Sequence, residues 1–153
     1  MDQTIKADGM MLTLLAHAKA AAEAGEVPVA AAVTTSDGKV IAMAENRMKR
    51  DDNALHHAEM LVISEAMRVR ETSRLDDCDL WVTLEPCTMC AGAIAHARLR
   101  RVYFGAFDEK AGAVESGVRF FDQPSCHHRP EIYGGLSAAA AADLLRAFFR
   151  DRR

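Results

Sequence analysis

The chain has 153 residues, half of them hydrophobic, and a formal net charge of −3, which is enough to close one substantial core and seldom two, so a single domain over residues 1–153 is predicted. The negative balance argues against binding nucleic acid over the whole surface and leaves any such contact to a local basic patch. No apolar run approaches the ~18 residues of a membrane span and nothing resembles a signal peptide, so a cytoplasmic protein with no membrane partner is expected.

Met11, Leu14, Leu15, Ala18 and Ala22 recur at helical spacing and Gly25 follows as a stop, predicting a first helix over 10–24. "VPVAAAVTT" from Val27 reads as a strand, Ser36, Asp37 and Gly38 as a turn, and "KVIAMAE" as the returning strand of a hairpin. After a polar loop at 46–53, a helical pattern covers about 57–68, with Met60, Leu61, Ile63 and Ser64 expected on its inner side. "DLWVTL" (79–84) is a third strand ended by Pro86, where a helix can begin. The small-residue-rich stretch 87–98 reads as that helix, and "RVYFGA" (101–106) as a fourth strand. Residues 107–135 read as irregular, with room for one more short strand. A last helix starts near Ser137, a candidate N-cap, and its Leu144, Leu145, Phe148 and Phe149 pair at i, i+4 spacing as expected core residues. Strands alternating with helices, without internal repeat or low-complexity linker, predict an α/β layered fold.

The four cysteines, Cys78, Cys87, Cys90 and Cys126, are too few and too unevenly spaced for a disulfide framework, which points to thiolate chemistry or a metal. Cys87 and Cys90 stand three apart in the first turn of their helix, so both sulfurs share one side and the positive end of the helix dipole favours thiolate. His57 and Glu59 open another helix after a loop and can project towards the same point. Two helix starts facing one cation give His, Cys, Cys and a free fourth position, the arrangement of a catalytic zinc site. Such a metal lowers the pKa of water towards neutrality. Glu59, close by but not a ligand, can then take a proton and deliver it to a ring nitrogen and a leaving amine, the chemistry of hydrolytic deamination.

"HAE" followed by "PCTMC" resembles the zinc-dependent cytidine deaminase superfamily, whose H-x-E and P-C-x-x-C signature carries these roles. "EVPVAAAV", "NALHHAEM", "VTLEPCTMCAGAIAHAR", "RVYFGA" and "AVESGVRFF" together resemble the bacterial tRNA adenosine deaminase family over almost the whole chain. The resemblance implies a three-layer cytidine deaminase-like α/β fold, a mixed five-stranded sheet with helices on both faces. It also implies a homodimer, one Zn2+ per subunit, and conversion of the wobble adenosine of a tRNA anticodon loop to inosine, with no DNA substrate. By the same resemblance His57, Cys87 and Cys90 are the metal ligands, Glu59 is the proton shuttle, Asn46 contacts the nucleoside, Ala58 lies beside the base and Asp108 near the ribose. The chain departs from the bacterial pattern in "NALHHAE", where D-P-T-A-H-A-E is usual, and in "VPVAA", where Ala30 replaces a glycine. Both departures are expected close to the pocket.

Arg146, Arg150, Arg152 and Arg153 crowd the end of the chain around Phe148 and Phe149, while Arg47, Lys49 and Arg50 precede the histidine motif. Basic groups interleaved with aromatics suit phosphate contact and stacking on a splayed single strand, with Phe149 and Arg152 as candidate substrate contacts; the plainer reading is a set of cations at a helix C-terminus. Cys126, His127 and His128 are adjacent and offer no tetrahedral set, so a structural or surface role is expected for them, and Cys78 is expected to be a buried or edge thiol. Two other functions share the motifs. One is a deaminase of a free nucleobase or nucleoside such as guanine or cytosine. The other is a non-catalytic zinc-stabilised RNA-binding domain, which leaves Glu59 without a task.

Overall fold

The computed structural model describes residues 7–152, so Arg153 lies outside the described residues. In chain order the elements are α1 (Ala7–Glu23), β1 (Ala30–Thr35), β2 (Val40–Glu45), α2 (Ala58–Arg70), β3 (Cys78–Leu84), α3 (Thr88–Ala97), β4 (Arg101–Ala106), a 3-10 turn (Phe120–Asp122), β5 (Glu131–Tyr133) and α4 (Ala138–Arg150). They form a mixed five-stranded sheet of order β2-β1-β3-β4-β5. β1 runs antiparallel to both β2 and β3, and β3, β4 and β5 are mutually parallel.

Strand alternation sends successive side chains to opposite faces. Ala31, Val33, Leu80, Val82, Val102 and Phe104 pack against Val62, Ile63 and Ala66 of α2 and Ile94 and Ala97 of α3. Ala30, Ala32 and Trp81 face Met10, Leu14 and Ala18 of α1, and Met11 and Leu15 join Ala106 and Ala141 of α4. The helices therefore cover both faces, as expected. No helix among the described residues is long and apolar enough to cross a membrane.

Several expectations need correction. β1 begins at Ala30, three residues after Val27, because Pro28 has no N–H for a ladder. The inner side of α2 is Ala58, Glu59, Val62, Ile63 and Ala66, while Met60 and Leu61 are half-buried and Ser64 is exposed; of the expected residues, Ile63 alone is on the buried stripe. Ser137 precedes α4 in the left-handed region (φ 53°) and makes no side-chain cap bond. Phe148 is buried, 3 % exposed, but its neighbour Phe149 is 52 % exposed and does not belong to the core.

The end of α1 bears on the site. Gly25, at φ 89°, lets the Glu26 N–H reach Ala21 O (2.9 Å) and the Gly25 N–H reach Ala22 O (3.0 Å), the paired bonds of a Schellman ending. That turn leads the chain inward, and Glu26 is fully buried. Its carboxylate accepts from the backbone N–H groups of Lys49 (3.1 and 3.2 Å), Arg50 (3.0 Å) and Val27 (3.3 Å). A single buried acid thus holds the loop between β2 and α2.

Candidate active site

His57 and Cys87 are the N-caps of α2 and α3, both in extended backbone, and Cys90 lies in the first turn of α3. Each helix start projects a ligand atom into the same space. The atoms of His57, Cys87 and Cys90 lie within 4.8 Å of one another, and no other such His, Cys, Asp or Glu group occurs among the described residues. His57 Nδ1 is 3.6 Å from Cys87 Sγ and 3.5 Å from Cys90 Sγ. Zinc bond lengths in a tetrahedron put a nitrogen and a sulfur ligand about 3.5 Å apart, so the spacing fits that ion and its donor preference.

The charges are shared in a consistent pattern. The Cys87 thiol is pushed down to about 4, first by the hydrogen bond it receives from Cys90, against burial and with help from His57. Cys90 is raised by donating to Cys87 and by burial, and contact with Cys87 raises His57. Cys87 is the member of the group most easily ionised, and a cation placed here takes over the role of the protons that Cys90 and His57 turn towards it. Glu59 follows one residue into α2 and is buried. Burial pushes its carboxyl up to about 7, the range in which a carboxyl both accepts and returns protons near neutral pH.

Asn46 is buried. Its Oδ1 accepts from Met48 N–H (3.0 Å), which fixes the amide and turns its nitrogen into the donor end. The next residue, Arg47, donates its backbone N–H to His56 O (3.0 Å), clasping the loop to the start of α2. Ala58 is fully buried in the α2 side of the core. Asp108 opens a turn after β4, with Oδ1 accepting from Lys110 and Ala111 N–H groups (3.1 and 3.0 Å).

Asp108, Lys110 and Ala111 line one side of an open groove of about 1000 Å3, and Arg146, Phe149, Arg150 and Arg152 line it from α4 and the residues beyond. The two basic clusters of the sequence meet at one ring. Lys49 Nζ lies 5.3 Å and the Arg152 guanidinium 3.6 Å from the centroid of Phe148. Arg152 also donates to Phe148 O (3.3 Å) and Ala22 O (3.4 Å), so it is anchored as well as groove-lining. Arg146 pairs with Asp143, and Arg150 lies 3.4 Å from Asp151.

The two sequence departures differ in position. His56 Nδ1 lies 2.7 Å from Asp51 Oδ2, beside the metal-ligating pattern. Ala30 is packed with Met10, Leu14 and Ala18 on the α1 side of the sheet, away from the face that carries α2 and α3, so that replacement is a packing matter and not a pocket one. The Cys126 to His128 run stitches a loop to the end of α3: Cys126 Sγ donates to His128 O (3.1 Å), Arg98 donates to His127 O (3.1 Å), and His128 Nε2 meets Leu99 O (2.6 Å). Cys78 is buried, and burial pushes its thiol up to about 12. Sequence reasoning missed three buried carboxylates: Asp79, which pairs with Arg100, and the two held by backbone N–H groups, Glu26 and Glu85. For the last two the available signal was an acid placed directly after a helix stop and directly after a strand of buried residues, positions where a charge needs a partner.

A mixed α/β sheet whose helix starts gather an imidazole and two cysteine sulfurs beside a buried carboxyl defines a deaminase of the cytidine deaminase-like fold. The chain belongs to the MafB19-like deaminase family, whose model matches residues 5–153. It is similar to the tRNA-specific adenosine deaminase of Agrobacterium fabrum, 52% identical over 139 residues that cover 91% of each chain. A solved structure from studies of A-to-I editing by tRNA:A34 deaminases at the wobble position superposes with a TM-score of 0.85 at 50% identity, covering 89% of this chain and 99% of that one. Guanine deaminase from Nitrosomonas europaea shares the fold at a TM-score of 0.79 and 25% identity, covering 97% of this chain and 87% of that chain.

Proposed function

We propose that this protein deaminates the wobble adenosine of a tRNA anticodon to inosine, consuming water and releasing ammonia, and that it works in the cytoplasm as a homodimer. The observation that carries this reading is the His57, Cys87 and Cys90 group beside buried Glu59, in a chain about half identical to a tRNA-specific adenosine deaminase. Likeness to the guanine deaminase is half as strong in identity, which ranks a free-base substrate second.

His57, Cys87 and Cys90 are the residues that would hold one Zn2+ per subunit. Zinc, when bound, supplies Lewis acidity that ionises water near neutral pH. Glu59 accepts the proton released from the attacking water at its carboxylate and passes it to the ring nitrogen of the base; it then takes the second proton, from the hydroxyl now bonded to the base carbon, and delivers it to the amine, which departs as ammonia. Its elevated pKa suits both directions of transfer, since neither protonation state is strongly disfavoured near neutrality. Asn46 donates to the nucleoside from the amide edge left by its bond to Met48. Ala58, fully buried between His57 and Glu59, backs the base from within the core and presents no surface of its own. Asp108 is the acceptor near the ribose, and Phe149 and Arg152 supply stacking and phosphate contact at the groove.

The test is inosine formation in an unmodified anticodon stem-loop with adenosine at the wobble position, run beside ammonia release from free adenine, guanine, cytosine and their nucleosides. Inosine in the RNA with no ammonia from the small molecules is expected. Ammonia from a free base alone would assign the site to a small molecule and overturn the reading.

A further inference from the structure

We propose that Glu85 is a positioning residue that fixes residues 108–116 as a wall of the substrate groove relative to Cys87. The inference rests on the reading that this groove receives the RNA.

Glu85 ends the run from β3 and is 2 % exposed. Oε1 of its carboxylate accepts from the Asp108 N–H (3.0 Å) and the Ser116 hydroxyl (2.9 Å). Oε2 accepts from the N–H groups of Val114 (3.1 Å), Glu115 (2.9 Å) and Ser116 (2.9 Å). Five donors on one carboxylate exceed the four lone-pair sites of its two oxygens, leaving none over for substrate. Burial works against the charge, but these donors together hold the carboxyl below its ordinary value.

The segment has no ladder to order it, and Asp108 holds only its first turn, through the N–H groups of Lys110, Ala111 and Gly112. Residues 107–116 contain no helix or strand, so their backbone donors need partners outside a ladder, and Glu85 provides four of them. Two further contacts tie the same segment to the start of α3: the Ala113 N–H donates to Pro86 O (2.9 Å), and Gly112 bridges to Cys87. Gly112 passes so near that a Cβ there would sit 2.4 Å from Asp108 O and 2.5 Å from Glu85 Cδ. Asp108, Lys110 and Ala111 are the members of the segment that face the groove. Glu85 thus stands behind the wall, two residues before Cys87, and sets the distance between the wall and the metal-ligating group.

Three variants of the zinc-loaded full chain test this. Glu85→Gln keeps the shape but sets an amide N–H2 against backbone N–H groups. Ser116→Ala removes one donor, and Gly112→Ala crowds the carboxylate from the other side. For Glu85→Gln and Gly112→Ala, KM for the stem-loop RNA is expected to rise about tenfold while kcat stays within about threefold, and for Ser116→Ala KM is expected to rise about threefold. Zinc content stays at one per chain, and amide exchange at Val114 and Glu115 speeds up by about tenfold with the β3 and β4 amides unchanged. Unchanged KM in the folded variants, or a loss confined to kcat with exchange at 108–116 unaltered, would overturn the proposal. If Glu85→Gln does not fold, the other two variants decide the matter by the same criteria. The exchange readout needs no substrate: loosening of 108–116 in a chain whose parent turns over no RNA would count against the proposed function and leave Glu85's hold on the wall standing.

Discussion

Replacing Glu26 by alanine should loosen the loop that carries Asn46, Arg47, Lys49 and Arg50, although Glu26 touches neither metal ligand nor groove. The carboxylate is fully buried and accepts two loop N–H groups, those of Lys49 and Arg50, at 3.0 to 3.2 Å. Hydrogen bonds to a charged group contribute about 1.5–3 kcal/mol each, a gross loss of roughly 3–6 kcal/mol. Two effects offset part of it: Lys49 and Arg50 are exposed, so water can reach the freed donors, and the variant no longer desolvates a carboxylate, which costs several kcal/mol. The net destabilisation is about 2 kcal/mol, or a fall in Tm of roughly 4–8 °C for a chain of this size. Thermal unfolding at saturating zinc measures it for parent and variant alike, and exchange at the Lys49 and Arg50 amides locates it. A Tm within about 1 °C of the parent, with those amides still protected, would refute the role given to Glu26.

Chelation of the metal should abolish turnover and open Cys87 to iodoacetamide at pH 6, since its thiol is pushed down to about 4; peptide mapping should find Cys87 labelled first and Cys78 last, and labelling indifferent to zinc would contradict the ligand assignment. Phe148→Ala should cost about 3–5 kcal/mol of stability as a buried aromatic truncation, whereas Phe149→Ala should leave stability within about 0.5 kcal/mol and weaken stem-loop binding by about 1–3 kcal/mol. Equal stability losses in the two variants would overturn the separation of core from groove. Arg150→Ala should lower the salt dependence of RNA binding by about 0.7 in the log–log slope, and an unchanged slope would make that arginine a solvated helix end.

Much of this was legible because chemistry and periodicity coincide. The H-x-E and C-x-x-C spacings fall at helix starts, which lets His57, Cys87 and Cys90 meet at one point, and the strand and helix alternation gives the α/β layering, while the mixed five-stranded sheet was legible only through the family resemblance. The errors have physical causes. On α2, Ala58 and Ala66 bury as fully as large residues do, and the buried stripe runs through them with Val62 and Ile63, out of phase with Met60, Leu61 and Ser64. Phe148 and Phe149 are equally apolar in sequence, and only the phase of α4 against α1 and the sheet separates them. Glu26 and Glu85 escaped because their partners are backbone N–H groups in loops 23 to 31 residues further along the chain, and backbone donors leave no mark in a sequence.

In the proposed function, Glu59 moves the proton in a deamination carried out beside the His57, Cys87 and Cys90 group. Zinc content and inosine yield in a wobble-adenosine stem-loop, determined on the same preparations of parent and Glu59→Ala, test it most directly. One zinc per chain in both proteins, with the rate of the variant lower by about 10²–10⁴-fold as expected for loss of a general acid–base group, is the predicted result. Turnover within about threefold of the parent at equal zinc content would remove Glu59 from the proton transfer.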